Sequence, residues 1–177
     1  MPKQILPLLI GILGSCLLCG SPRLALTEET PPSADVARQQ ADEFMKQAGQ
    51  AYAAEQFAEA IARYRQAADL GNAWGQNNVA WMYATFRDAQ FRDGAFAVAY
   101  ALKATTQEPA NAAFVRTLAA AYARVGEFDK AIAAQQRFIE LLTDDQILTD
   151  AVKAELRDDH AEKLKRYQSH EAYVDDK

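Results

Sequence analysis

The sequence predicts an all-α protein: a short right-handed α-solenoid of about three helix pairs followed by a C-terminal capping helix. Three observations carry this. Asn77-Asn78-Val79-Ala80-Trp81-Met82-Tyr83 and Arg116-Thr117-Leu118-Ala119-Ala120-Ala121-Tyr122 are two copies of one pattern, in which two polar residues precede an aliphatic one, alanine, two free positions and tyrosine. A recurring small residue lets two helix backbones approach, and the recurring ring fills the space one turn further on, which is how stacked helix pairs pack. Half the residues are apolar, with Ala abundant and Val, Ile and Thr sparse in the body of the chain, a balance that favours helix over strand. Gly71, Pro109 and Gly126 stand where such helices should end.

The chain of 177 residues is long enough to bury a core as one domain, read here as 34–168. Its formal net charge of −5 and pI near 5.1 argue against nucleic acid as a partner, which needs a basic face. A basic helix for a membrane surface is equally absent.

The N-terminus differs from the rest. Lys3 precedes an apolar run over 5–18 interrupted by Pro7, Gly11, Gly14, Ser15 and Cys16. One positive charge and then a short apolar stretch has the shape of an export signal, read as 1–20, and is short for a membrane span of about 20 apolar residues. Leu13-Gly14-Ser15-Cys16 resembles a bacterial lipobox, which makes Cys16 the lipidation candidate. Lipidation with a membrane tether, plain secretion and an uncleaved anchor all remain open. Export to the periplasm or beyond is the expectation common to the first two. Cys16 and Cys19, the only cysteines, form a C-x-x-C pair without the strand–helix context of a redox motif. Residues 21–33, with Ser21-Pro22 and Pro31-Pro32, read as a linker.

The helices follow in order. Ser33 is suited to cap the first, with Asp35 favourable in its opening turn and Val36, Phe44, Ala48 and Ala51-Tyr52 at helical spacing. Residues 53–56 make a tight connection, and 57–70 form a second helix carrying Ala60, Ile61, Tyr64, Ala67 and Ala68, closed by Gly71. The third spans about 73–86. After a loop over 87–95, Asp93 is placed to cap the fourth, whose inner face is Ala97, Ala101 and Ala104. The fifth, 112–125, turns at Gly126 into the sixth, 128–142, with Ala131, Ile132, Phe138 and Ile139 inward. A last helix over 147–168 has the stripe Leu148, Val152, Leu156, Leu164 and Tyr167 and should cap the stack. The tail 169–177 is polar and is expected to fray.

Residues 112–142 resemble a tetratricopeptide repeat. Val115, Leu118, Ala119, Tyr122, Gly126, Phe128, Ala131 and Phe138 stand at its signature positions, with Val115 in place of the usual tryptophan and Phe138 in place of the usual alanine. The middle pair matches through Val79, Ala80, Tyr83, Ala97, Ala104 and Pro109, although Tyr83 and Ala97 lie 14 positions apart against 9 from Tyr122 to Ala131. The first pair, ending Ala67-Ala68-Asp69-Leu70-Gly71-Asn72-Ala73, is similar to the related Sel-like repeats, with a corner read as one residue shorter. The resemblance implies a two-layer stack whose first helices line a groove for a protein or peptide partner. Carried over position by position, it puts Asn77, Trp81, Thr85, Arg116, Ala120 and Arg124 in that groove.

Trp81 is the most suggestive of these, because Trp is enriched among interface anchors; the alternative is ordinary core packing. Arg116 and Arg124 suit a partner carboxylate, or a salt-bridged helix face. Some tetratricopeptide domains clamp a chaperone's C-terminal carboxylate with Lys, Asn and Arg. Asn78 matches that clamp, but Ala113 and Thr117 stand where basic residues belong and Lys46 falls in a shifted register, so the clamp is not expected.

His160 and His170 are too far apart for a metal pair. Arg87-Asp88 and Arg92-Asp93 read as loop pins and caps. Asp144-Asp145 and Asp158-Asp159 lack a glycine-bearing calcium loop. No nucleophile triad, phosphate-cradling glycine loop or zinc-helix motif appears, so neither catalysis nor a cofactor is expected. The reading is a protein-binding scaffold, with an envelope assembly factor or an enzyme's accessory subunit as the alternatives.

Overall fold

The computed structural model of the chain describes residues 33–145 and 148–175. The signal, Cys16, Cys19 and nearly all of the linker lie outside them. The described residues form seven α-helices and one 3-10 turn, with no strand among them: α1 (Ala34–Ala53), α2 (Phe57–Asp69), α3 (Ala73–Thr85), the 3-10 turn Ala89–Phe91, α4 (Gly94–Gln107), α5 (Ala112–Arg124), α6 (Phe128–Asp144) and α7 (Asp150–Gln168). Helices pack as the pairs α1–α2, α3–α4 and α5–α6. The second helix of each pair lies against the first of the next, α3 touches α5, and α7 lies on α6. This is a short helical solenoid.

Local chemistry sets the helix ends. Ser33, Asn72, Asp93, Asn111 and Thr149 each turn a side-chain oxygen onto a backbone N–H of the following first turn, satisfying donors that the helix itself leaves unpaired. Two corners are closed alike. Glu127 N–H donates to Tyr122 C=O across Gly126, and Gln56 N–H donates to Ala51 C=O across Glu55, both at 2.9 Å. The residue between is left-handed in each, with φ +79° at Gly126 and +58° at Glu55.

This closure corrects the register of the first pair. Ala51, not Tyr52, occupies the place of Tyr122, and the corner of the first pair has the same length as that of the third. The misreading arose because the left-handed position is held by a glutamate, which carries no turn signature. The insertion in the middle pair uses the same device. Asp93 N–H donates to Tyr83 C=O at 3.0 Å, so the extra residues bulge outward on an unchanged base. Phe86 and Phe91 from that bulge meet edge to face, and Phe86 also meets Phe57.

Aligned on these corners, the three pairs present two columns of alanine. Ala48, Ala80 and Ala119 form one, Ala60, Ala97 and Ala131 the other, and all six are 0% exposed. Only a methyl group fits where backbones come this close. Gly75 marks a closer approach still, since a Cβ there would lie 2.9 Å from both Ala67 Cβ and the Ala68 nitrogen. Phe138 stands in the column held by Ala67 and Ala104 in the earlier pairs, and its larger ring meets His160 of α7 at 4.1 Å between centroids. The departure from alanine is therefore explained by what lies next to it: a single capping helix instead of another pair.

The seam of α7 differs from the stripe read in the sequence. Its buried residues are His160, Lys163 and Tyr167, all in its second half, with Tyr167 packed among Ala119, Ala123 and Ala131. Leu148 and Leu156 cover Val115, Phe138 and Leu142 from one side, whereas Val152 is 41% exposed. Two polar side chains replace the expected aliphatic ones: the His160 ring packs on Phe138 with its Nδ1 making no hydrogen bond among the described residues, and Lys163 has a carboxylate within reach. Lys163 Nζ donates to Asp159 at 2.7 Å, and the His160 backbone carbonyl accepts from Gln135 Nε2 at 3.3 Å.

Candidate functional site

The last turn of α3 ends without glycine, and Phe86 leaves it in extended conformation at φ −54°, ψ 138°. The carbonyls of such a turn have no partner within the helix. Here they are met from three distant places. Tyr83 C=O accepts from Asp93 N–H and Thr85 C=O from Asp175 N–H at 2.7 Å, while Ala84 C=O accepts from Arg124 Nε. A guanidinium at a helix C-terminus also suits the negative end of the dipole.

Asp175 reaches α3 because the chain reverses after α7. His170 is left-handed at φ +59° and stacks on Phe128 with centroids 5.0 Å apart, and Glu171 N–H closes back onto Arg166 C=O at 2.8 Å. The following residues then run without regular structure across α5 to α3. Residues 172–175 are half-buried, and Ala172 and Tyr173 pack on the cluster around Tyr167. The segment expected to fray is docked along the first helices instead. Its anchor is the Tyr173 side chain, the one ring after the reversal at His170.

Among the described residues, the side chains of Arg124, Trp81 and Lys163 contact the segment. Arg124 Nη2 donates to Tyr173 C=O at 2.8 Å. Trp81 Nε1 donates to Asp175 Oδ2 at 3.3 Å. The Tyr173 ring lies 6.1 Å from the indole, and Lys163 Nζ sits 4.7 Å over that ring. Beneath, the Arg116 guanidinium lies 4.7 Å from the indole centroid, a cation–π geometry. Burial pulls the Arg116 guanidinium below its ordinary pKa, opposed by the charges of Asp159 and Asp175 and by Tyr173 and Tyr167. Its buried Nε makes no hydrogen bond among the described residues.

The six groove positions thus divide. Trp81, Arg116 and Arg124 face the docked segment. Asn77, Thr85 and Ala120 are buried; Thr85 contributes only its backbone carbonyl, its hydroxyl donating to Trp81 C=O at 2.9 Å, and Ala120 belongs to the core with Ala80 and Ala97. Sequence reasoning does not single out Lys163 or Tyr52: the first sits on a helix read as a cap, the second among the apolar residues at helical spacing on α1. Tyr52 is 43% exposed and lines a cleft of about 310 Å³ together with Phe57, Trp81, Met82, Phe86, Arg87 and Asp175. A smaller recess of about 170 Å³ adjoins it, between Tyr52, Tyr64, Asn78, Trp81 and Met82. The docked segment therefore arrives at an open, aromatic-walled cleft between α1 and α3. In the corrected register Lys46, Asn78 and Thr117 occupy equivalent positions on α1, α3 and α5.

A solved structure titled "First TPR of Spaghetti (RPAP3) bound to HSP90 peptide SRMEEVD" is similar to this chain, with a TM-score of 0.58 and 16% sequence identity over 75% of this chain and 93% of that one. The fold is that of a tetratricopeptide-like helical repeat. No family model matches the sequence, and no curated protein does either.

Proposed function

We propose that the protein is a non-catalytic scaffold that binds an extended segment of a protein partner along α3 and α5, with the cleft at Tyr52 and Trp81 taking its continuation. The observation that carries this reading is the docked segment itself: the face already grips a short peptide segment through main-chain and side-chain contacts, using Trp81, Arg124 and Lys163. The similar fold bound to the peptide SRMEEVD supports the same use. That peptide ends in Val-Asp, the pair formed here by Val174 and Asp175.

Selection from a library of displayed twelve-residue peptides tests the reading. Enriched peptides are expected to combine a ring with a carboxylate, and to lose binding to Trp81→Ala and Arg116→Ala chains whose circular dichroism is unchanged. Peptides that bind these variants as well as they bind the wild type contradict it.

We also propose that the scaffold works after export, with Cys16 as the point of lipid attachment if a tether exists. Lys3 and the apolar run over 5–18 support this. Mass analysis of the protein from its native host should find the N-terminus between residues 16 and 28. Intact Met1 in a cytosolic fraction contradicts export. Incorporation of labelled palmitate that is lost in Cys16→Ser tests the tether.

A further inference from the structure

We propose that residues 171–175 are a ligand in cis: they hold the groove until an external extended segment of the same chemistry displaces them, so that partner binding and release of this segment are one exchange. The proposal rests on the groove-binding reading above and adds its regulation and the chemistry of the partner.

The segment is bound as a peptide would be. Among the described residues, main chain makes the contacts from Asp175 N–H to Thr85 C=O and from Arg124 Nη2 to Tyr173 C=O, and any extended peptide can reproduce them. Other contacts select side chains. Trp81 Nε1 needs an acceptor where Asp175 Oδ2 lies, and the indole and Lys163 Nζ need a ring where Tyr173 lies. The matching partner therefore carries an aromatic residue followed two positions later by a carboxylate. Charge points the same way. Arg116 is half-buried, its buried Nε lacks a hydrogen bond among the described residues, and Asp175 is one of the two carboxylates that offset its charge. An empty groove would leave that cation less compensated, so a vacated groove favours an acidic occupant.

The segment is also detachable. The contacts that fix α7, Tyr167 on Ala119, Ala123 and Ala131 and His160 on Phe138, precede the reversal at His170. Residues 172–175 are half-buried, not core. Displacement can therefore proceed without lifting the capping helix. The tether gives the segment an effective concentration on the order of millimolar, which an external peptide must overcome.

The test uses a fluorescein-labelled synthetic peptide with the sequence of residues 169–177, read by anisotropy against the full chain and its Tyr173→Ala/Asp175→Asn double variant. The variant is expected to bind the peptide at least about tenfold more tightly than the wild type, because its own segment no longer competes. Adding Trp81→Ala to the variant is expected to abolish binding. Equal affinity of wild type and folded variant overturns the exchange while leaving groove binding in place. No binding to the folded variant overturns both. If the double variant does not fold, excess unlabelled peptide added to the wild type supplies the readout. Amide exchange at residues 173–175 is expected to rise on saturation, and unchanged exchange overturns the proposal.

Discussion

Trp81 and Asp175 bind one another across the groove: the indole N–H donates to the aspartate carboxylate at 3.3 Å, while the Asp175 amide donates to the backbone of Thr85, one turn beyond Trp81, at 2.7 Å. The residue with most promise as a partner anchor is thus already engaged by the chain's own acidic segment. The contact joins two needs. The last turn of α3 lacks donors for its carbonyls, and the segment after α7 has an amide, a ring and a carboxylate to place.

The alanine columns predict a steep penalty for added volume. Ala119 and Ala131 are fully buried against Tyr167, so Ala119→Leu or Ala131→Leu should destabilise by about 1–3 kcal/mol through overpacking. Tyr167→Ala should cost about 3–5 kcal/mol, the range for deleting a buried ring. Chemical denaturation measures all three. Unchanged midpoints would mean that α7 does not seat on α5 and α6.

The corners predict opposite effects at equivalent positions. Glu55 and Gly126 are both left-handed, a conformation that costs an L-residue about 1–2 kcal/mol and glycine almost nothing. Glu55→Gly should therefore stabilise by up to about 1 kcal/mol, and Gly126→Ala should destabilise by about 1–2 kcal/mol. Melting of the two variants beside the wild type checks the signs, and a loss of stability in Glu55→Gly would remove the register assigned to the first pair.

Those corners also show what was legible in the sequence. Helix number, order and most ends could be read, because Ser33, Asp93, Gly71 and Gly126 signal them by residue type and alanine recurs at repeat spacing. The corner at Glu55 could not, since a glutamate gives no sign of a left-handed backbone. Repeat position singled out Trp81, Arg116 and Arg124, which lie on the face beside the docked segment, and equally Asn77, Thr85 and Ala120, which are buried. Repeat position fixes the direction in which a side chain points but not what covers it. The docked segment was invisible for a related reason. Its hold depends on the Thr85 carbonyl left bare at the end of α3 and on where Trp81, Arg124 and Lys163 converge, a tertiary circumstance that the tail's own sequence does not announce.

His160 predicts a pH dependence. Burial first, then the charges of Lys163 and Arg116, lower its pKa from 6.5 to about 4 in the folded chain. Between these values the unfolded chain binds the proton and the folded chain does not, so unfolding takes up protons. The stability that neutral His160 contributes is complete above about pH 6.5, falls as the pH drops, and is lost by about pH 4, a change of about 3 kcal/mol. Denaturation from pH 7 to pH 4 should show this decline, and His160→Leu should flatten it. A variant that keeps the full slope would assign the dependence to other groups.

The central claim is that the face of α3 and α5 grips an extended segment through Trp81, and amide hydrogen exchange at Asp175 tests it most directly. In the wild type the Asp175 amide should exchange more slowly than an unstructured amide, because it donates to Thr85. In Trp81→Ala and Arg124→Ala that protection should be lost, while the amides of α5 and α6 stay protected. An Asp175 amide that exchanges at the unstructured rate in the wild type, or one whose protection survives both substitutions, would contradict the account.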